Sequence, residues 1–171
     1  NGWSGLGGDR SLNSIISWVG GKKALRNMIY ERMPANYERY IEVFGGGGWV
    51  LFGKPPEKCM EVYNDFNSNL ANLFYCVKER PMALIKELSF FPLNSRDEFF
   101  TLRKFLAKEE FKSEHLSEEL EIAARFLKEP EFAEIREILM ENAKVGDVQR
   151  AAAFYKIIRY SYGSGCTSYG C

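Results

Sequence analysis

The sequence has little of what metal sites and disulfide frameworks require. Its 171 residues include a single histidine, His115, and four cysteines that form no Cys-x-x-Cys pair: Cys59, Cys76, Cys166 and Cys171. This pattern suggests neither a zinc site nor a disulfide framework, so we expect free thiols in a reducing compartment. His115 lies in a charged stretch, residues 112–121, where we expect a solvated side chain rather than a metal ligand or a general base.

Long apolar runs and targeting signals are also missing. No run approaches the ~20 residues of a membrane span, and the polar, glycine-rich start lacks the basic-then-apolar layout of a signal peptide. These absences predict a soluble, cytoplasmic protein with no membrane association. Residues 1–14 are rich in Gly, Ser, Asn and Asp, which predicts a flexible leader.

The chain lacks an excess of charge of one sign, since its net charge is zero. The charges are nevertheless unevenly distributed. Residues 1–40 hold six basic and three acidic groups, and residues 143–171 hold four basic groups and one acidic group. Binding of a polyanion would therefore use the two ends of the chain.

Strand and helix signals alternate in the first half, which predicts the start of a Rossmann-like α/β sheet. Residues 39–44 are rich in β-branched and aromatic residues and end at four glycines, as a buried strand ending in a turn does. In chain order the predicted elements are a helix at 21–33, the strand at 39–44, the glycine turn at 45–48, a short helix at 49–53, a strand at 59–63 and a helix with the stripe Leu70, Leu73, Phe74 and Val77.

From residue 81 onward the pattern predicts helices and no strand. Ser95 followed by Glu98 forms a capping box at the start of one helix. The helical stripes are Phe99, Leu102 and Leu106, then Leu116, Leu120, Ala123 and Leu127, then Phe132, Ile135 and Leu139. A last helix is predicted at 149–162, after which glycines break the chain into a loop.

Two features of the α/β part could bind a ligand, and each has a plainer interpretation. Asp65 follows the second strand, where a carboxylate can accept hydrogen bonds from ribose hydroxyls; equally, Asp65 or Asn67 could cap the next helix. The glycines at 45–48 allow close approach of a ligand or simply form a tight turn. The full G-x-G-x-x-G fingerprint of a dinucleotide site fails, because Val50 or Leu51 stands at its last position.

The pentapeptide Trp18-Val19-Gly20-Gly21-Lys22 places an aromatic ring, two glycines and a cation at a predicted helix start. Lys22 could pair with a ligand carboxylate there, with help from the free amides of the helix N-terminus. The alternative is a buried tryptophan beside a surface lysine.

Three ordered segments carry a family resemblance. They are the pentapeptide at 18–22, the run Ile41-Glu42-Val43-Phe44 with its glycines, and Asn64-Asp65-Phe66-Asn67. Together they resemble the motifs of Dam-like DNA adenine-N6 methyltransferases. Residues 149–163 are similar to that family's helix leading into a DNA-contacting loop. Val43 and Gly45 depart from the family's commoner Pro and Val, and residues 81–147 match only as a helical recognition insert.

The resemblance implies a Rossmann-like S-adenosylmethionine-dependent core, residues 15–80, and a mainly helical target-recognition region, residues 81–171. Residues implied to bind S-adenosylmethionine are Trp18, Lys22, Phe44, Gly45, Gly46, Gly48 and Asp65. Lys22 would lie near the methionine carboxylate and Asp65 on the ribose, and we expect Glu42 near the methionine end. The implied partner is double-stranded DNA, with a cognate restriction endonuclease as a candidate second partner, and we expect a monomer.

The residues around the last helix also indicate DNA contact. Tyr155, Arg159 and Tyr162 fall on one helical stripe, with Lys156 adjacent and Tyr169 nearby, so bases and phosphates could be contacted by Arg159 and Tyr162. The alternative is amphipathic packing with hydroxyls and charges at the rim.

The catalytic segment of the family, of Asp-Pro-Pro-Tyr type, is absent. Lys54-Pro55-Pro56-Glu57 has neither the acidic or amide residue before the prolines nor the aromatic residue after them. Two predicted strands also make a poor doubly wound core, so we expect a fragment or truncated product without catalytic residues and without activity of its own. Competing hypotheses are a non-catalytic DNA-binding protein that keeps the cofactor fold, and a nucleotide-dependent enzyme.

Overall fold

The structure is a computed structural model that describes residues 13–55, 57–89, 95–107 and 115–170. The chain divides into two compact units, Asn1–Asp65 and Phe66–Cys171. Of the predicted leader, residues 1–12 lie outside the described residues. At the end of the predicted leader, the Ser14 hydroxyl donates a hydrogen bond to the Gly47 carbonyl, and Ile16, just beyond it, is buried.

In its described residues, the first unit forms one short α-helix, a turn of 3-10 helix and two short parallel strands. A turn of 3-10 helix, Lys22–Leu25, leads into α1, Arg26–Glu31. Strand β1, Arg39–Glu42, pairs in parallel with β2, Met60–Tyr63. The predicted helix and strands are confirmed with shorter ends, and the parallel pairing agrees with an α/β class. The remainder of a Rossmann-like core stays a prediction.

The helix predicted at residues 49–53 is wrong. The segment forms turns, with a single helix-like hydrogen bond from the Phe52 amide to the Gly48 carbonyl of 3.0 Å. Gly53 and Pro55 follow at once, so the turn has no room to propagate, and an isolated turn fixes several dihedral angles for one hydrogen bond.

The segment around the two prolines has a structural role. Lys54 is buried, and its ammonium group pairs with Glu57 at 3.1 Å and with Glu61. It also lies 5.6 Å from the centre of the Tyr40 ring. These contacts link the segment to β1 and β2; Pro56 itself lies outside the described residues.

The second unit is helical in its described residues. Its helices are α2, Ser68–Glu79; α3, Pro81–Ser89; α4, Arg96–Leu106; α5, Leu116–Phe126; α6, Glu131–Val145; and α7, Val148–Tyr160. Helix α7 packs against α2, α3 and α4, while α6 packs against α5. By its contacts α2 belongs to the helical unit, whereas the resemblance implies a cofactor-binding part that extends to residue 80. In the part of the chain that the structure describes, no helix is both long and apolar enough to cross a membrane.

Side-chain caps define where three of these helices begin. Asn67 caps α2 by accepting from the amides of Asn69 and Leu70, Ser95 caps α4, and Asp147 caps α7. The Ser95 half of the predicted capping box is therefore confirmed. The Glu98 carboxylate instead forms an ion pair with Lys156 of α7.

His115 is not the solvated residue that we expected. Its side chain is 14% exposed, and its ring nitrogens contact Glu87 of α3 and Glu118 of α5. Beside it, Arg80 is completely buried and donates to Glu119 of α5 at 2.7 Å. Ionic contacts thus link α5 and its cap residue His115 to α3 and to Arg80, which lies between α2 and α3.

Candidate functional site

The glycine turn lies at the carboxyl ends of β1 and β2. The Gly45 amide donates to the Asn64 carbonyl at 2.8 Å, so the ends of both strands are joined there. Gly46 and Gly48 have φ values of 51° and 69°, which side chains disfavour. Space is restricted as well, since a Cβ on Gly45 would collide with the Tyr63 ring. The turn therefore carries no side chain at the sheet edge, and of its four glycines Gly46 is partly exposed while Gly45, Gly47 and Gly48 are buried.

Asp65 lies against this turn. Its Oδ2 accepts a hydrogen bond from the Gly46 amide at 2.8 Å. The helix cap that Asp65 could have provided is provided by Asn67, so the capping interpretation of Asp65 is wrong. The Asp65 carboxylate and the glycine turn are about 20 residues apart in sequence. In the structure they are in direct contact.

Lys22 and Glu42 form an ion pair at the same edge. The Lys22 ammonium donates to Glu42 Oε1 at 3.0 Å and to the Phe44 carbonyl. Glu42 is buried, and its other oxygen accepts from the Leu51 amide at 3.0 Å. Lys22 is 32% exposed at its side chain and so reaches both the ion pair and solvent.

Two aromatic side chains flank the glycine turn. Trp18 lies so close that a Cβ on Gly46 would be 3.1 Å from its Cδ1 atom. Phe44, the residue before the glycines, has a side chain that is 73% exposed. An exposed ring beside a turn without side chains and a carboxylate is an arrangement that can hold a flat, polar heteroaromatic group.

Sequence reasoning missed Tyr63. Its hydroxyl donates to the Gly46 carbonyl at 2.7 Å, and its ring supports Gly45. Burial raises the pKa of Tyr63, and the negative charges of Asp65 and Glu42 raise it further, so the phenol stays protonated as a donor. The available signal was its position, because the last residue of β2 must meet the turn that follows the neighbouring parallel strand.

The predicted DNA-contacting residues lie in the second unit. Helix α7 ends at Tyr160, and Ser161 is extended. The prediction that Tyr162 continues the helical stripe is therefore wrong. Tyr162 is instead at the start of a tied loop, residues 161–170, which we call the terminal loop. The Tyr162 amide donates to the Ser168 carbonyl at 2.9 Å, and the Gly170 amide donates to the Tyr160 carbonyl at 2.9 Å.

The exposed part of the predicted stripe is smaller than expected. Arg159 is exposed, and Tyr162 is 79% exposed, whereas Tyr155 is partly buried. Lys156 is buried and paired with Glu98. Packing therefore accounts for most of α7, and Arg159 with Tyr162 forms the accessible remainder.

Comparison with known families gives one match over residues 18–160, to the D12 class N6 adenine-specific DNA methyltransferase family. The chain belongs to this family. The match includes the pentapeptide, the glycine turn, Asp65 and all of α7. It confirms the family resemblance inferred from the sequence motifs.

Three individual proteins similar to this chain are named as methyltransferases or a methylase. The chain is 37% identical over 94 residues to Type II methyltransferase M1.LlaDCHI of Lactococcus lactis subsp. cremoris, covering 54% of this chain and 32% of that protein. It is 34% identical over 105 residues to Type II methyltransferase M.MjaIII of Methanocaldococcus jannaschii, and the alignment covers 57% of this chain and 35% of that protein. Modification methylase StsI of Streptococcus sanguinis is 27% identical over 78 residues, and the alignment covers 45% of this chain and 12% of that protein. The chain thus spans about a third of the first two relatives.

Proposed function

We propose that this chain is the cofactor-binding and DNA-recognition part of a DNA adenine-N6 methyltransferase built on a Rossmann-like core. In this proposal the first unit binds S-adenosylmethionine and the second unit binds double-stranded DNA. The observation that carries it is the contact between Asp65 Oδ2 and the Gly46 amide, because it puts an acidic side chain against the glycine turn at the carboxyl ends of both strands. Membership of the family supports the same cofactor and substrate.

The residues of the turn match the chemistry of this cofactor. Asp65 would accept hydrogen bonds from the ribose hydroxyls, and the glycines at 45, 46 and 48 would let the ligand approach the main chain. Phe44 and Trp18 would contact the flat adenine or the apolar parts of the ligand. S-adenosylmethionine, when bound, supplies the electrophilic methyl group on its sulfonium sulfur.

Lys22 would bind the methionine carboxylate. An ammonium group has three N–H donors, and the described contacts of Lys22 use two, on Glu42 and on the Phe44 carbonyl. The partial exposure of Lys22 supports a third contact from the solvent side. Glu42 would then hold Lys22 near the methionine end of the ligand.

The methyl-transfer step is assigned to no residue of this chain. N6 transfer needs an acceptor for the exocyclic amine and an aromatic face for the flipped adenine, and the sequence contains no segment of Asp-Pro-Pro-Tyr type. We therefore propose that catalysis depends on a segment outside these 171 residues. The limited share of the relatives that aligns supports this proposal.

The setting of this activity is part of the same proposal. We propose a monomeric protein of the cytoplasm that acts with a cognate restriction endonuclease. Two relatives are named Type II methyltransferases, which supports a restriction–modification role. The thiols of Cys59, Cys76 and Cys166 are free, as is usual in a reducing compartment.

Calorimetric titration of the chain with S-adenosylmethionine tests the proposed cofactor site. Asp65→Ala removes charge-assisted hydrogen bonds worth about 1.5–3 kcal/mol each, so its affinity should fall by about tenfold or more. Asp65→Asn keeps an acceptor for the Gly46 amide and should weaken binding less. Asp97→Ala, an exposed residue of α4, is the matched control and should bind as the wild type does.

Folding of each variant can be followed separately in the first unit, since the three tryptophans, Trp3, Trp18 and Trp49, all belong to it. Unchanged affinity in a folded Asp65→Ala variant would rule out the ribose assignment.

A further inference from the structure

An arginine pair on α4 is not explained by packing. Arg96, Phe100 and Arg103 follow one another at four- and three-residue spacing, so they lie on one face of the helix. The guanidinium carbon of Arg96 is 5.8 Å from the centre of the Phe100 ring, and that of Arg103 is 5.9 Å from it. Both arginines are exposed, and the ring between them is partly buried. We call Arg96 and Arg103 the α4 arginine pair.

The charges of the α4 arginine pair are not neutralised by the part of the chain that the structure describes. Among the described residues, neither guanidinium has a carboxylate within ion-pair distance, whereas Lys156 pairs with Glu98 and Lys86 with Glu118. Stacking on Phe100 instead restrains both side chains, which lowers the conformational entropy that they would lose on binding an anion.

The pair adjoins the terminal loop. Arg103 Nη1 donates to the Thr167 carbonyl at 2.9 Å. The Tyr169 ring packs edge-on against Phe99 of α4, with 5.8 Å between ring centres. The exposed cations of α4 and the proposed DNA-contacting loop therefore belong to one continuous surface of the second unit.

We infer that the α4 arginine pair binds backbone phosphates of duplex DNA beside the terminal loop. The inference rests on the proposed DNA-binding function and adds a second contact to it. Guanidinium groups match phosphate oxygens with two parallel hydrogen bonds. Seven residues of helix separate the two arginines by about 10 Å, and a duplex carries one charge per about 1.7 Å of axis, so both can meet phosphates. These contacts strengthen binding without reading sequence.

The salt dependence of duplex binding, measured by fluorescence anisotropy, tests this inference. The slope of log K against log salt is negative, and each lost phosphate contact lowers its magnitude by about 0.9, so Arg96→Gln/Arg103→Gln should lower that magnitude by about 1.8. Arg96→Gln alone should lower it by about 0.9, and this variant leaves the Arg103–Thr167 bond intact. Arg96→Lys/Arg103→Lys keeps both charges and should keep most of the slope.

The matched control is Arg125→Gln/Arg136→Gln, which removes two exposed charges from α5 and α6. A slope unchanged in Arg96→Gln/Arg103→Gln, or lowered equally by the control, overturns the inference while the wild type still binds DNA. A wild-type chain that binds no duplex overturns the proposed DNA-binding function and this inference together.

Discussion

Glu42 shows how one buried carboxylate can organise a ligand site. It accepts from Lys22, from the Leu51 amide at 3.0 Å and from the Tyr40 hydroxyl at 3.4 Å. A buried carboxylate is stable only when such donors surround it. Lys22 is thereby held at the end of β1 before any ligand binds, which reduces the entropy cost of using it in binding. We propose a positioning role for Glu42 on this basis.

His115 gives the second unit a pH-dependent contact. Burial lowers the pKa of His115, but hydrogen bonds to Glu87 and Glu118 raise it by more, so the folded-state pKa lies above the ordinary value. The surrounding charges are Lys86, which pairs with Glu118, and the Arg80–Glu119 pair. The resulting stabilisation is complete below the pKa of His115 in the unfolded chain, about 6.5. It is lost as pH rises through the pKa of His115 in the folded protein.

We therefore predict that the free energy of unfolding of the second unit falls as pH rises above about 6.5, and that His115→Gln removes this dependence. Urea unfolding followed by far-UV circular dichroism at several pH values measures it. Because His115 is the only histidine, its ring can be titrated directly by NMR. Parallel pH profiles for wild type and variant would contradict the prediction.

At the scale of elements, the terminal loop is the feature that links α7 to the proposed function. Its two ends are tied by backbone hydrogen bonds, so Tyr162 is held exposed although it lies beyond the helix. We predict that Arg159→Ala/Tyr162→Ala weakens duplex binding and flattens its salt dependence, because one phosphate-binding cation and one stacking ring are lost. Anisotropy titration over a range of salt concentrations measures both effects.

The control for this variant is Arg125→Ala/Phe126→Ala, which removes an exposed arginine and an 82%-exposed aromatic residue from the end of α5. It should bind DNA as the wild type does. If the folded loop variant binds as tightly as the wild type at every salt concentration, Arg159 and Tyr162 are not DNA contacts.

Elements with strong local signals were predictable from the sequence. β-Branched and aromatic runs that end at turn residues gave β1 and β2, and the Ser95 cap with its apolar stripe gave α4. Contacts between distant segments were not predictable in this way. Lys156 looked like a surface cation because Glu98, its partner, lies 58 residues away, and His115 looked solvated because Glu87 lies on another helix.

The candidate cofactor site was predictable for a different reason. Its residues were identified by their resemblance to family motifs, and the structure brings Asp65 and Lys22 to the glycine turn that those motifs share. The role of Tyr63 and the contacts of Glu42 were not predicted from the sequence. They support the turn, whereas the motifs name only residues expected to face the ligand. Their roles toward a ligand stay predictions.

At the scale of the whole molecule, we predict that the 171-residue chain transfers no methyl group to DNA. Holding the donor does not align an adenine nitrogen with its methyl group, and misplacement by about 1 Å can cost about 100-fold in rate. Asp65 and Glu42 are both engaged at the glycine turn and are not obvious substitutes for the missing segment. A radiolabelled methyl-transfer assay on adenine-containing duplex measures this; turnover above background would reveal an unrecognised catalytic group.

The central claim is that the glycine turn of the first unit is an S-adenosylmethionine site, and mapping of amide chemical shifts during titration tests it most directly. We predict saturable shifts at residues 18–22, 44–48 and 65, with no comparable response to NAD, because the glycine fingerprint of a dinucleotide site is incomplete. Shifts confined to the second unit, an equal response to NAD, or no saturable shifts at the glycine turn would contradict the claim.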